Sequence, residues 1–123
     1  MSALELDNSS AGLQIKAYQA GMIKINEQIF HNNLILSNNE LHENWIDGGA
    51  LQITANDLAI IMKLKPDVVL IGTGANTEFL TPDIYAALIN AGIGVEIMTT
   101  SAACRTFNAL TAENRQVVAA LIV

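Results

Sequence analysis

The sequence predicts an α/β domain, with a parallel C-terminal β-α-β-α-β core joined to antiparallel N-terminal strands. Three observations carry this. The uninterrupted β-branched run Val68, Val69, Leu70, Ile71 has the texture of a strand buried on both faces. Two helical segments with N-cap signals follow it, each trailed by a further apolar run at 94–98 and 117–123. Ahead of it, short apolar runs punctuated by Gly and Asn occupy residues 13–37.

Residues 1–12 are polar and weakly patterned and are expected to form a flexible lead-in, leaving 13–123 as a single domain. The runs at 14–18, 22–25 and 28–36 are expected as strands. Ala20-Gly21 and Asn26-Glu27 separate them, and Gly and Asn tolerate the left-handed angles of tight hairpins. Residues 38–49 form a polar connection in which Trp45, the lone tryptophan, is expected to cap the core. Thr54 with Asp57 resembles a capping box for a helix presenting Leu58, Ile61, Met62 and the stem of Lys65, ended by Pro66. Thr81-Pro82-Asp83 opens a second helix with Ile84, Leu88 and Ala91 on one face and Gly92 as its left-handed cap. Thr99-Thr100-Ser101 caps a third, on which Ala103, Phe107 and Leu110 share a face. Asn114 is a turn residue before the last strand.

Composition narrows the function. Of the 123 residues 51% are hydrophobic and 15% charged, enough apolar surface to offset the entropy of ordering and exclude general disorder. Twelve acids against six bases give a net charge of −6, the opposite of a phosphate-binding footprint, so no nucleic-acid partner is expected. Cys104 is the only cysteine, which rules out an intrachain disulfide. No basic residue precedes an apolar segment at the start, and the longest apolar run falls well short of the roughly 18 residues of a membrane span. A cytoplasmic protein that is not an integral membrane protein is the expectation.

Open α/β sheets bind ligands beyond the carboxyl ends of their strands. Here that rim holds Gly72, Thr73 and Gly74 after one strand and Thr99, Thr100 and Ser101 after the next. Gly72-x-Gly74 lacks the third glycine of a dinucleotide fingerprint, no phosphate-binding loop pattern occurs, and no cofactor is implied. Cys104 sits near a helix start, which favours a thiolate, but no histidine follows it, and it reads first as a small hydrophobe. Glu40, His42, Glu43 and Asp47 lack metal-ligand spacing and read as a solvated loop; His31 reads as structural. No catalytic or metal-binding residue is assigned. Arg105 lies about 200° around its helix from Ala103, so it either pairs with Glu113 or Glu96 or faces a ligand or partner, the ion pair being favoured.

The segments at 66–74, 92–100 and 102–108 resemble the complex I assembly factor three family, a former domain of unknown function that includes the adipogenesis-associated domain proteins. The resemblance runs over about residues 12–123 and is most specific at 102–108 and at Gly72-Thr73-Gly74. It implies a compact three-layer α/β domain with a central mixed sheet, of bacterial type. It also implies a protein partner, either respiratory complex subunits or another assembly factor, and no established reaction. Gly72, Thr73, Gly74, Arg105, Thr106, Phe107 and Asn108 are the matching motif positions. Thr99 stands where members of the family often carry an acid, which weakens acid–base chemistry at the rim. The candidate binding rim is thus Gly72, Thr73, Gly74, Thr99, Thr100, Ser101, Arg105 and Asn108. The functional expectation is a non-enzymatic protein-interaction domain, with a small-ligand binder or enzyme at the rim, or a homo-oligomeric scaffold, as alternatives.

Overall fold

A computed structural model describes Ala3–Leu4 and residues 12–123. Among the described residues nine strands, β1 (Ala3–Leu4), β2 (Ile15–Gln19), β3 (Met22–Ile25), β4 (Gln28–Phe30), β5 (Leu34–Leu36), β6 (Leu41–Glu43), β7 (Val68–Gly72), β8 (Gly94–Met98) and β9 (Val117–Leu121), combine with three α-helices, α1 (Ala59–Leu64), α2 (Pro82–Asn90) and α3 (Thr100–Ala112). Most of the expected lead-in at 1–12 lies outside the described residues; Ala3–Leu4 pair with Leu41 and His42.

The main sheet has the order β1-β6-β5-β9-β7-β8, and β2-β3-β4 form a separate antiparallel sheet. β7 is parallel to both β8 and β9, as the β-α-β-α-β reading requires, while β5 runs antiparallel to β9. The sheet is therefore mixed, with β9 at the seam.

Strand periodicity builds the three layers. Val68 and Leu70 of β7, Val117, Ala119 and Leu121 of β9, and Leu34 and Leu36 of β5 face one side, against Ala103, Cys104 and Phe107 of α3 and Ile23 and Ile25 of β3. The intervening Val69, Ile71, Val118, Ala120 and Ile35 face the other, against Ile61 of α1, Leu88 of α2 and Trp45. The small sheet thus shares one outer layer with α3, and α1 and α2 form the other. Trp45 is buried, and its indole N–H donates to the Leu121 carbonyl at 3.1 Å.

Several local expectations hold. Gly21 (φ +84°) and Asn26 (φ +50°) occupy the two tight turns. Thr54 and Asp57 close their box, with the Thr54 amide donating to Asp57 Oδ2 at 2.8 Å and the Asp57 amide to Thr54 Oγ1 at 3.3 Å. Gly92 (φ +82°) ends α2 in a Schellman motif, its amide bonding Ile89 and that of Ile93 bonding Leu88. Asn114 (φ +64°) ends α3 in the same way.

Other expectations are corrected. The run at 28–36 is two strands, because the Asn33 side chain breaks it: Nδ2 donates to the carbonyls of Ile46 and Gly48, and Oδ1 accepts from the Val123 amide at 2.7 Å. β4 then completes the small sheet and β5 joins the main one. The polar connection contains β6, so His42 is buried rather than solvated, with Nε2 3.3 Å from Glu40 Oε1. On α1, Met62 is exposed and Lys65 is the left-handed C-cap (φ +49°), leaving Leu58 and Ile61 as the buried contacts. Ala91 lies past the end of α2 and is exposed; Tyr85 packs in its stead. Thr81 occupies the N-cap of α2 but its side chain accepts no capping bond.

Replacing Asn33 by Ala strands one donor and two acceptors at the junction between the sheets. Urea denaturation should show a loss of about 1–3 kcal/mol.

Candidate functional site

The expected rim separates into two structures. The first is a closed knot at the ends of β7 and β8. Thr100, fully buried, donates its hydroxyl to the Ile122 carbonyl at 2.7 Å and accepts from the Gly74 amide at 2.8 Å, while its own amide donates to the Gly74 carbonyl at 3.0 Å. The Thr73 hydroxyl donates to the Asn76 carbonyl at 2.6 Å and accepts from the Glu78 amide at 3.1 Å. The Thr99 side chain caps α3 by accepting from the Ala102 amide at 3.2 Å. Gly72 makes the knot possible, since a Cβ there would lie 2.9 Å from Leu121 Cδ2 and 3.0 Å from Thr100 Cα. Gly74 holds φ +97°, a left-handed turn that suits glycine. The Gly74 and Thr100 amides and the Thr73 and Thr100 hydroxyls are thus already engaged within the protein.

The second structure is a shallow groove of about 170 Å³ between β2 and α3, lined by residues 15–18 and by Ser101, Cys104, Arg105 and Asn108. The Asn108 amide pins the two elements together: Oδ1 accepts from the Ile15 amide at 3.0 Å and Nδ2 donates to the Ile15 carbonyl at 2.7 Å. This makes Asn108 a clamp on an edge strand, ninety-three positions away in sequence. Lys16 is the extra residue of a β-bulge, because Ile15 pairs with Ile25 and Ala17 with Lys24. The bulge lets Ile15 and Tyr18, three positions apart, both pack on the core while Lys16 lines the groove.

Arg105 is not in the ion pair expected for it. Its Nη1 donates to Ser101 Oγ at 2.8 Å, one helical turn back, and among the described residues no carboxylate pairs with it. The one-turn spacing places the hydroxyl within reach of the guanidinium, whereas Glu96 and Glu113 lie off the ends of that turn. Lys16 Nζ donates to Gln14 Oε1 at 2.9 Å, again a neutral partner. Sequence reasoning missed Lys16 because only the bulge and the Asn108 clamp carry it to α3.

Cys104 is buried in the groove floor. Burial pushes its thiol up to about 12, against the opposing pull of the Arg105 charge. Burial likewise lifts the Tyr18 phenol, with the Thr100 hydroxyl acting the other way. Thr106 bonds the Ala102 carbonyl of its own helix and Phe107 is fully buried, so of the motif at 105–108 only Arg105 faces outward. Among the described residues no group of three or more His, Cys, Asp and Glu side chains is arranged to hold a metal, and no helix is long and apolar enough to cross a membrane.

The family described as "Protein of unknown function (DUF498/DUF598)" matches residues 15–122. The chain is similar to the NADH dehydrogenase (ubiquinone) 1 alpha subcomplex assembly factor 3 of Danio rerio, 40% identical over 80 residues that cover 63% of this chain and 46% of the relative. The match therefore spans less than half the length of that relative. It is also similar to the 13 kDa major membrane protein of Francisella tularensis, 30% identical over 95% of this chain and 96% of that one. A crystal structure of a Bordetella parapertussis protein superposes with a TM-score of 0.85 at 35% identity, covering 93% and 98% of the two chains.

Gly72→Ala should destabilise the fold by about 1–3 kcal/mol through overpacking. Gly94→Ala, whose Cβ would meet nothing closer than 3.7 Å, should stay within about 1 kcal/mol; thermal denaturation of the pair checks this. The raised Cys104 thiol makes a second test. At pH 8 its alkylation by iodoacetamide in the native protein should run on the order of 100-fold slower than in urea. Between pH 9 and 12 the unfolded chain releases this proton and the folded chain keeps it, so this group's contribution to stability falls as the pH rises through that window.

Proposed function

The chain belongs to the DUF498/DUF598 family, and from that membership we propose that it is a non-enzymatic protein-interaction domain that assists the assembly of a respiratory complex, acting from the cytoplasm. The observation that carries this reading is the closed knot. The strand ends where an open α/β sheet would take a substrate are tied together by Thr100, Thr73 and the two glycines, which favours a structural role for the motif at 72–74. The neutral, buried thiol of Cys104 points the same way, since thiolate is the reactive form. The name of the zebrafish relative supplies the process, and subunits of a respiratory NADH dehydrogenase or another assembly factor are the partners in view. Phe79, 77% exposed on the segment entering α2, offers the kind of aromatic anchor that dominates protein interfaces.

A second reading, a small-ligand binder, draws on one observation: the groove between β2 and α3 gathers Ser101, Arg105 and Asn108 beside Lys16.

Affinity purification of the tagged full chain at native abundance, read by quantitative mass spectrometry, tests the first reading. Respiratory complex subunits should be enriched, and Phe79→Ser should reduce that enrichment at least severalfold while leaving the melting temperature unchanged. Recovery of the bait alone would count against the proposal.

A further inference from the structure

We propose that the groove between β2 and α3 is a binding site for a small oxyanion, a carboxylate or phosphate group, held between Lys16 and Arg105. This rests on the second reading above and names its ligand class. The chain has only six basic residues against twelve acidic ones, yet two of the six line one groove into which, among the described residues, no Asp or Glu projects. Each cation has a neutral partner, Arg105 the Ser101 hydroxyl and Lys16 the Gln14 amide, and among the described residues neither charge is paired with a carboxylate.

The geometry suits such a ligand in three ways. The guanidinium uses Nη1 on Ser101 and keeps its remaining N–H groups for a two-point contact with a carboxylate or phosphate. Ser101 accepts from Arg105, which leaves its hydroxyl proton free to donate to the ligand. The Asn108 clamp and the bulge hold the Lys16 backbone on β2 beside α3, so the two elements that carry the cations are set before binding, which cuts the ordering cost. At about 170 Å³ the groove lies below the roughly 300–1,000 Å³ of sites for larger metabolites. An inorganic anion or a short carboxylic acid fits.

The test is a titration of the isotope-labelled full chain by NMR at constant ionic strength, with phosphate, succinate, glycerol as a neutral probe, and phosphatidylglycerol vesicles as separate arms. Phosphate or succinate should give saturable shifts at Ala17, Ser101 and the Arg105 side chain. Lys16→Ala and Arg105→Gln, both at exposed positions, should each weaken binding about tenfold, and Lys63→Ala on α1 should leave it unchanged. Equal weakening by Lys63→Ala would reduce the effect to net charge and overturn the site. A saturable response to glycerol but to neither anion would overturn the ligand class and keep the small-ligand reading, while silence in every arm would overturn both. Association with vesicles without any response to phosphate or succinate would assign the cations to a membrane surface and overturn the proposal.

Discussion

The Thr100 hydroxyl is the contact on which the architecture turns. It sits with no exposure to water where β7 ends, α3 begins and the chain leaves β9, and it ties the first to the last, donating to Ile122 and accepting from Gly74. A hydroxyl is the smallest group that both donates and accepts, so one side chain closes two otherwise orphaned backbone groups. Thr100 and Leu121 together leave no room for a Cβ at Gly72, where α3 approaches the sheet. The face that α3 covers, from Ala103 to Phe107, follows from that approach.

Seen from this contact, the motif at 72–74 and the motif at 105–108 divide the labour. The first closes the strand ends. The second fastens α3 to its surroundings through Phe107 in the core and Asn108 on the backbone of β2, and leaves one residue, Arg105, turned outward. The charge that faces out therefore stands on a helix fixed from both sides, a precondition for a precise contact with anything outside the molecule.

The parallel core was legible in the sequence because both of its signals are local. β7 is apolar at every position, and α2 and α3 carry their caps and turn residues where chain direction changes. The division at Asn33 was not legible, because its cause is three hydrogen bonds to groups that are distant in the chain. β6 escaped for another reason: Leu41, His42 and Glu43 are few and mostly polar, and partners on both sides make them a strand. The site shows the same limit. Ser101 and Arg105 are one turn apart on a helix, a spacing visible in sequence, whereas Lys16 reaches them only through a bulge and a long-range clamp.

The seam strand carries a consequence for how the molecule is made. β9 lies between β5 and β7 yet follows every other strand in chain order, so the ribosome delivers the centre of the sheet after its flanks. Until Val117–Leu121 emerges, the β5–β6 hairpin and the β7–β8 pair have no strand to join them, and Leu34–Leu36 and Val68–Gly72 each keep an open hydrogen-bonding edge. Such edges template pairing between nascent chains. The main sheet can close only when these five residues are in place.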